Sequence, residues 1–379
     1  MTISNRTSAF LCGVLEHSQL SHADLAFGDR GGLLSWWSWR RAFESGEGEL
    51  TVGHDSPPAT CYLTASLTKP LVSLAVVQLA AEGYFWLNEP VRTFFPAFRR
   101  GPLRTITLRH LLTHTSGLPD MLPENELLRA RHAETFEFAE AVAQVDPAFQ
   151  PGTGISYCSM GFAVLDVVVR SACGQSLREL LAERIFGPLG LTHSCLGLPR
   201  ANAAELLERT VKCELPAGQP ADCDWNWNSV YWRTLGAPWG GLISTAAELG
   251  EILSLVLRGG CDRAGDEVLS AGAVWSSVSN QTQHSAGLSD QDRERRGWGY
   301  GWRMNWLDHS GCFSDLLPHD AFGHWGATGT LMWADRSTGT WAVVLTNQPY
   351  ERSQRAIQRL SNVLAATALS TCGVAGQER

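Results

Sequence analysis

The feature that most constrains the fold of this chain is a long apolar run that begins after residue 70. The run LVSLAVVQLAAEGYFWL (71–87) is apolar on nearly every side, which predicts a helix buried in the middle of a domain. It is entered through TASLTKPLVS (64–73), where Ser66 fits the position of a helix cap. Lys69 does not fit, because the positive end of a helix dipole disfavours a cation by about 0.3–1 kcal/mol. We therefore expect Lys69 to serve a purpose other than helix stability.

The length and charge of the chain narrow the class of protein. Its 379 residues, 44% of them hydrophobic, are enough for one large domain or two closely packed ones. The net charge of -8 argues against nucleic acid or an anionic membrane as a partner. No apolar run is long enough to predict a transmembrane helix. Glu16 and His17 follow AFLCGVL (9–15) where a signal peptide would have small residues, so we expect a cytoplasmic protein.

Ten cysteines are scattered along the chain without a Cys-x-x-Cys pair. This pattern predicts mostly buried free thiols. Disulfides are the alternative if the protein is exported by another route. The cysteines also lack the spacing of metal ligands, and we predict neither a metal site nor a cofactor.

Patterns along the first two thirds of the chain predict strands followed by helices. Two strands around a Gly-rich turn are expected at 24–39, and a polar connection follows up to residue 58. The later segments are expected to be helices from Ser66 to about residue 191, an irregular stretch at 199–238, and a helix at 242–260 capped by Ser244 or Thr245.

The last third of the chain predicts strands again. Segments 299–306 and 329–347 favour two or three antiparallel strands with a hairpin turn at DRSTG (335–339), and 351–367 favours a closing helix. The charged segment 289–297 is expected to be a solvated loop. Strands from both chain ends would then share one sheet in an α+β protein. We predict a single domain over 1–379, with a sheet subdomain (1–58 and 240–379) and a mainly helical subdomain (59–239).

Ser66 and Lys69 form a candidate catalytic pair. Positions three apart lie on one face of a helix, so the lysine amine can reach the serine hydroxyl. A serine is a weak nucleophile unless a base removes its proton, and a lysine can do so only if its pKa is lowered. Burial and the positive end of the helix both lower that pKa. The alternative is a capping serine beside a surface lysine.

Further motifs support the catalytic interpretation. Tyr157 lies in PGTGISYCSMGF (151–162) between a turn and a helix, and His324 lies in FGHWGATG (322–329) at the start of a strand hairpin. Together with TASLTKP, LRHLLTHTSGLP, IFGPLGL and WGGLISTAAEL, these motifs resemble the serine β-lactamase-like superfamily over about residues 59–347. That superfamily includes class C β-lactamases, D-alanyl-D-alanine carboxypeptidases, D-aminopeptidases and family VIII carboxylesterases. The resemblance implies an antiparallel sheet flanked by terminal helices, with an inserted all-helical region.

The resemblance also implies roles for individual residues. Ser66 would be the nucleophile, Lys69 its base partner and Tyr157 the proton relay to the leaving group. The backbone amides of Ser66 and Ala327 would form an oxyanion hole, which is worth several kcal/mol to a developing oxyanion. Without Ser66 and Lys69, Tyr157 would instead be interpreted as an ordinary aromatic residue at a helix start.

Two departures from the family pattern bear on the substrate. Ser159 stands where the family's Tyr-x-Asn motif has asparagine, and His324, Trp325 and Gly326 replace Lys-Thr-Gly. Ser159 lacks the amide that can bridge the lysine and a substrate amide group, and His324 and Trp325 provide a largely neutral ring and no hydroxyl. Both departures would weaken the binding of an anionic amide substrate. A neutral ester would tolerate both changes. Alternatively, His324 only lines the cleft or holds the strand.

Aromatic and small residues near the motifs have less specific interpretations. Fifteen tryptophans favour an apolar acyl or alcohol group in the substrate, although most tryptophans are core residues. His110 and His114 are expected to be structural, and Gly240 and Gly241 to permit close packing near the cleft. The tryptophans expected to rim the cleft are Trp225, Trp227, Trp232, Trp239, Trp298 and Trp325.

These observations predict a serine hydrolase that acts through an acyl-enzyme on Ser66, with a carboxylic ester as the preferred small-molecule substrate. The nearest alternative keeps the chemistry and takes amide substrates, as a D-amino-acid peptidase or β-lactamase. The motifs are also compatible with an acyltransferase and with a non-catalytic binding protein that keeps the fold. The sequence predicts no nucleic-acid or membrane partner and leaves the oligomeric state open.

Overall fold

The computed structural model describes residues 5–42, 44–306 and 312–375 of the protein. Two antiparallel sheets lie within these residues. The strands are β1 (His22–Asp29), β2 (Gly32–Arg41), β3 (Gly48–Gly53), β4 (Tyr62–Leu63), β5 (Cys195–Leu196), β6 (Leu242–Ser244), β7 (Arg303–Met304), β8 (Phe322–Gly326), β9 (Thr330–Asp335) and β10 (Thr340–Thr346). The larger sheet has the order β3-β2-β1-β10-β9-β8-β7, and the smaller one has the order β4-β6-β5.

Helices surround the two sheets, and most of them lie between β4 and β7 in the chain. The helices are α1 (Asn5–Glu16), α2 (Thr68–Ala81), α3 (Leu108–Leu112), α4 (Asn125–Ala130), α5 (Thr135–Val142), α6 (Met160–Cys173), α7 (Leu177–Leu181), α8 (Ala203–Glu208), α9 (Val230–Leu235), α10 (Ala246–Leu257), α11 (Ala271–Ser277), α12 (Asp290–Arg295) and α13 (Tyr350–Ala375). A π-helical turn (Ala182–Phe186) continues α7, and 3-10 turns occupy Val91–Thr93, Pro96–Arg99, Gly101–Thr105 and Arg200–Asn202.

Both ends of the chain contribute to the larger sheet, as the sequence predicts. β1 pairs antiparallel with β10, so that Ala23 lies opposite Thr346. The terminal helices α1 and α13 pack together on one face of this sheet, where they bury an apolar cluster that includes Leu11 and Leu360. α10 covers the opposite face and contacts β1 and β10. The predicted α+β fold class is therefore confirmed.

The apolar run forms α2 as far as Ala81, so the predicted helix is wrong for residues 82–87, and eleven of the fourteen residues of α2 are buried. Buried neighbours on every side explain why the run lacks a polar face. The helix ends at Ala81 because Gly83 adopts a left-handed conformation (φ +84°) immediately after it. The prediction that Ser66 caps the helix is wrong: Leu67 occupies the cap position, and Ser66 lies one residue earlier in the turn.

Some segments contain structure that the sequence patterns did not predict. The polar connection contains β3, an edge strand with mostly exposed side chains. The irregular segment contains α8 and α9. The expected solvated loop contains the short exposed helix α12, which begins because the Ser289 hydroxyl accepts a hydrogen bond from the Asp292 N–H. Thr245 caps α10, as predicted, but the predicted helix at 242–260 is wrong at its start, because residues 242–244 form β6.

The cysteines that the structure describes are nine free thiols, and Cys372 lies outside the described side chains. Cys158, Cys213 and Cys312 are buried, and the other six are half-buried. The prediction of mostly buried thiols is therefore wrong for this part of the chain. The half-buried cysteines lie in loops, at element ends and, for Cys12, within α1, and sequence alone does not indicate their depth.

Within the described ranges, no helix is long and apolar enough to cross a bilayer. The same ranges contain no group of three or more His, Cys, Asp or Glu side chains placed to bind a metal ion. The division into a sheet subdomain and a helical subdomain at residues 58 and 240 stays a prediction.

Candidate active site

Ser66 lies in the tight turn that joins β4 to α2. Tyr62 and Leu63 in β4 pair with β6, which fixes the chain just before this turn. Ala65 has a left-handed backbone conformation (φ +48°), which is uncommon for a residue with a side chain and costs about 1 kcal/mol or more. The turn leaves Ser66 partly exposed at the start of a buried helix. The sequence therefore places a hydroxyl where a substrate can reach it.

Lys69 is fully buried one turn further along the chain. Its Nζ donates a hydrogen bond to Ser66 Oγ at 3.0 Å and another to the backbone oxygen of Trp239 at 2.7 Å. Burial lowers the pKa of Lys69 to about 7, while the negative charge of Asp120 acts in the opposite direction. A large fraction of this amine is therefore neutral near pH 7, which is the state that can accept a proton from Ser66.

Three neutral rings surround Tyr157. The ring centroid of Tyr157 lies 4.7 Å from that of His114, 5.9 Å from that of Trp298 and 5.8 Å from that of His324. Lys69 Nζ lies over the tyrosine ring, 4.8 Å from its centroid. The tyrosine is therefore held in position by packing on several sides.

The Tyr157 hydroxyl lies within hydrogen-bonding reach of the Ser66 and Ser159 side chains. Burial raises the pKa of the Tyr157 phenol, and these two hydrogen bonds only partly oppose the increase. Tyr157 is consequently protonated near neutral pH. Of the two groups beside Ser66, Lys69 is the one that can accept its proton, and Tyr157 can pass a proton onwards.

Ser159 immediately precedes α6 and is buried. Its backbone N–H donates to Asp120 Oδ1 at 3.0 Å. Because its side chain is a hydroxyl and not a carboxamide, Ser159 offers Lys69 no amide oxygen. The Trp239 carbonyl provides the second acceptor for the amine instead. Sequence reasoning missed this contact, since a backbone acceptor has no side-chain signature.

His324 lies on β8 and is buried. Its Nδ1 lies 2.7 Å from the Trp325 carbonyl oxygen, so Nδ1 carries the proton and Nε2 carries a lone pair. Nε2 has no hydrogen-bond partner among the described residues. Burial, and after it the charge of Lys69, hold the pKa of His324 well below its usual value. The imidazole is neutral, in agreement with the sequence-based expectation.

Gly326 and Ala327 bring the end of β8 against the Ser66 turn. A Cβ atom on Gly326 would lie 2.4 Å from the Thr64 backbone oxygen, so only glycine allows this approach. Ala327 is exposed. Among the described residues, neither the Ser66 N–H nor the Ala327 N–H donates a hydrogen bond within the protein. Both amides are therefore available to an oxygen atom placed between them.

Two threonine hydroxyl groups tie the β8–β9 hairpin to the strand that precedes the nucleophile. Thr328 Oγ1 donates to the Leu63 carbonyl oxygen at 2.7 Å, and Thr330 Oγ1 donates to the Thr64 carbonyl oxygen at 2.8 Å. All four residues are buried. These bonds fix the separation of the Ser66 and Ala327 amides, although the two residues are far apart in the chain.

Trp325 does not lie with the other predicted site residues. Successive side chains on a strand point to opposite faces, and the Trp325 ring stacks on Tyr350 at a centroid distance of 4.6 Å, away from Tyr157. Of the other tryptophans expected at the cleft, Trp298 packs on Tyr157, whereas Trp225 and Trp232 pack on the Arg129 guanidinium.

The two histidines of the LRHLLTHTSGLP motif differ in their surroundings. His110 forms a capping box with Thr107 at the start of α3, which is a structural role. His114 is fully buried, and its Nδ1 accepts a hydrogen bond from the Cys158 N–H at 3.0 Å. Because Cys158 follows Tyr157, His114 holds the tyrosine segment through the backbone as well as through ring packing.

Arg303 is a charged neighbour of the site that sequence reasoning missed. It lies on β7 opposite Gly323, is only 6% exposed, and stacks on the Trp306 ring at 3.9 Å from its centroid. Its guanidinium makes no ion pair or hydrogen bond with the described residues. Burial lowers its pKa to about 10, so it remains charged near pH 7. The lack of a carboxylate partner among the described residues is visible only in three dimensions, so no sequence pattern could indicate it.

The site combines a serine and a lysine three residues apart at a helix start with a neighbouring tyrosine and an antiparallel sheet. This combination defines the class of penicillin-binding proteins and serine β-lactamases. The family model described as Beta-lactamase matches residues 30–366, nearly the whole chain. The chain therefore belongs to the β-lactamase family. Membership makes it a serine hydrolase and confirms the family, the fold and the enzyme class predicted from the sequence.

Relatives of two kinds resemble the chain. It is 31% identical over 296 residues to Penicillin-binding protein 4 of Amycolatopsis lactamdurans, an alignment that covers 76% of this chain and 72% of the relative. It is 28% identical over 346 residues to Esterase EstB of Burkholderia gladioli, covering 83% of each protein. A solved structure described as EstCE1, a hydrolase with promiscuous acyltransferase activity, superposes with a TM-score of 0.72 at 16% identity and covers 96% of this chain and 98% of its own.

Proposed function

We propose that this protein hydrolyses carboxylic esters through an acyl-enzyme intermediate on Ser66. One observation carries the proposal: the buried Lys69 amine lies 3.0 Å from Ser66 Oγ, and burial lowers its pKa to about 7. A lysine with an ordinary pKa would be protonated and unable to accept the serine proton.

The proposed acylation step begins when neutral Lys69 removes the Ser66 proton and Ser66 Oγ attacks the ester carbonyl carbon. The negative charge that develops on the carbonyl oxygen is stabilised by the Ser66 and Ala327 amides. As the C–O bond breaks, Tyr157 passes a proton to the leaving alcohol and regains one from the Lys69 ammonium. A water molecule then attacks the acyl carbon with Lys69 again as the base, which releases the carboxylic acid and restores Ser66.

Two features support an ester as the preferred substrate. His324 is neutral, and Trp325 replaces the hydroxyl-bearing residue of the family motif, so two groups that would attract an anionic amide are missing. The relative that aligns over the larger share of the chain is named an esterase. A cytoplasmic location and the absence of nucleic-acid and membrane partners stay predictions.

Intact-mass spectrometry of the protein after incubation with a short-chain p-nitrophenyl ester, a D-alanyl peptide and a β-lactam tests this proposal. We expect the mass of the acyl group to appear on the protein with the ester, and peptide mapping to locate it on Ser66. An acyl group on another residue contradicts the proposal. Failure of a fluorophosphonate probe to label Ser66 in the folded protein would favour a non-catalytic binding protein.

Arg303 favours a second candidate, in which the substrate is a peptide or β-lactam that carries a carboxylate. A buried guanidinium without an anionic partner is costly, and a bound carboxylate would satisfy it. Burial has the largest effect on the pKa values of Tyr157 and His324. The Arg303 charge also acts on both residues and lowers their pKa values. The guanidinium therefore lies near the site. This candidate keeps the acylation chemistry and changes only the substrate.

The variant Arg303→Met distinguishes the two candidates. If the substrate carries a carboxylate, kcat/KM for that substrate should fall about 10- to 100-fold, the usual effect of losing a charge-assisted hydrogen bond. A neutral ester with the same acyl group should lose much less. Arg359→Met, which removes an exposed arginine on α13, is the matched control. Equal losses for charged and neutral substrates would contradict the second candidate.

A further inference from the structure

Asp120 lies beside the site, in the loop that follows α3, although no motif indicated it. Its Oδ1 accepts a hydrogen bond from the Ser159 N–H at 3.0 Å, immediately before α6 begins. The residue is exposed, and the described residues provide no ion-pair partner for its carboxylate. No ion pair with a described residue therefore neutralises the negative charge of Asp120.

The charged and titratable groups around Lys69 come from several elements. Tyr157 and Cys158 face it from the segment before α6, and both remain neutral near pH 7, because burial raises both pKa values. His114 faces it from the loop after α3 and His324 faces it from β8, and burial keeps both neutral by lowering their pKa values. Arg303 on β7 is the nearby cation.

Asp120 is the one carboxylate among the described residues that acts on Lys69. Burial lowers the pKa of Lys69 to about 7, and the charge of Asp120 raises it, which offsets part of the effect of burial. The same charge raises the pKa of Tyr157 and Cys158. A single carboxylate thus acts on both candidate proton-transfer groups.

We propose that Asp120 is a positioning residue for the hydrolysis proposed above: its carboxylate fixes the Ser159 backbone at the start of α6 and directs a negative charge towards the Ser66–Lys69–Tyr157 cluster. The inference rests on that proposed function and adds a determinant of the pH range in which the enzyme works. Lys69 must be neutral to accept the Ser66 proton, so the negative charge moves the acid limb of the pH profile to higher pH.

Asp120→Asn separates the two parts of this role. Asparagine keeps an oxygen that can accept the Ser159 hydrogen bond but removes the charge, so the acid limb of kcat/KM against pH should move to lower pH by about half a unit or more. A half-unit shift from a pKa of about 7 raises the neutral fraction of Lys69 at pH 6 by roughly 2.5-fold. Asp120→Ala should show the same shift with an additional loss of activity, because it also removes the acceptor.

Ionic strength gives a second measurement. Because Asp120 is exposed, salt screens its charge, and the acid limb of the wild-type enzyme should move towards that of Asp120→Asn as salt is added. The variant itself should respond much less. Asp222→Asn, which removes another exposed carboxylate, is the control and should keep the wild-type profile.

The pH dependence of fluorophosphonate labelling of Ser66 makes the result independent of the substrate chosen. If wild-type Ser66 is labelled with an acid limb near pH 7 and the limb is unchanged in Asp120→Asn, the inference about Asp120 is overturned while the proposed function stands. If wild-type Ser66 is not labelled at any pH, the proposed function fails, and the inference fails with it. An acid limb of Ser66 labelling that moves to lower pH in both Asp120 variants supports the inference.

Discussion

Replacement of Ser66 by alanine should lower kcat/KM for ester hydrolysis by at least about three orders of magnitude, because the group that forms the acyl-enzyme is removed. Ser66 is partly exposed and makes its described side-chain contacts with Lys69 and Tyr157. The substitution should therefore leave the thermal unfolding transition almost unchanged. Initial rates with a short-chain p-nitrophenyl ester and a thermal melt of the same preparation measure both quantities.

Ser73 offers a matched control for this experiment. It lies one turn beyond Lys69 on α2, is fully buried, and its hydroxyl has no hydrogen-bond partner among the described residues. Ser73→Ala should keep the ester activity and leave stability equal or slightly higher, since an unsatisfied hydroxyl is removed. Ester hydrolysis that persists in Ser66→Ala would refute the assignment of the nucleophile.

Replacement of Lys69 by methionine should lower kcat/KM by about a thousandfold or more and at the same time stabilise the protein at neutral pH. The pKa of Lys69 is about 7 in the folded protein against 10.5 for an ordinary lysine. Between these pH values the unfolded chain binds a proton that the folded protein does not, so the free energy of unfolding rises with pH. The whole window corresponds to about 5 kcal/mol of unfolding free energy, which the wild-type protein lacks at pH 7 and below.

The Lys69→Met variant does not have this loss of stability, because it has no amine to protonate. It also lacks the hydrogen bond to the Trp239 carbonyl, which lowers the free energy of unfolding by about 1–3 kcal/mol. Its melting temperature should exceed that of the wild type at pH 7, and the difference should shrink and then reverse above about pH 9. The only other lysine of the chain is the exposed Lys212, so Lys212→Met is the control. A stability difference that does not vary with pH would contradict the lowered pKa.

The sequence predicts the fold well where patterns are long and repeated. Two apolar strand patterns at opposite ends of the chain and a fully apolar helix are enough to indicate one shared sheet with a buried helix beside it. β3 is missed because its alternation of polar and apolar residues covers only Glu49 to Val52 and lies within a polar, glycine-bearing segment. The cap of α2 is predicted one residue too early, because the strained conformation of Ala65 is a product of the surrounding packing.

The site is predicted where side chains of particular chemistry recur at fixed spacing. Ser66, Lys69 and Tyr157 meet in the structure as the motif spacing suggests, although their roles stay proposals. The Trp239 carbonyl could not be predicted, because any residue can supply a backbone oxygen. Asp120 and Arg303 could not be predicted either, because their significance depends on which charges lack partners after the chain has folded.

The bonds from Thr328 and Thr330 to the backbone before Ser66 restrict how this enzyme can adapt to bulky substrates. Sliding the large sheet away from the nucleophile would break two buried hydrogen bonds before the cleft widened. Access must instead be adjusted by the chain segments in front of the cleft, such as the loop that carries Asp120. Relatives with different substrate preferences can therefore differ in those segments, while the Ser66 and Ala327 amides keep their positions relative to each other.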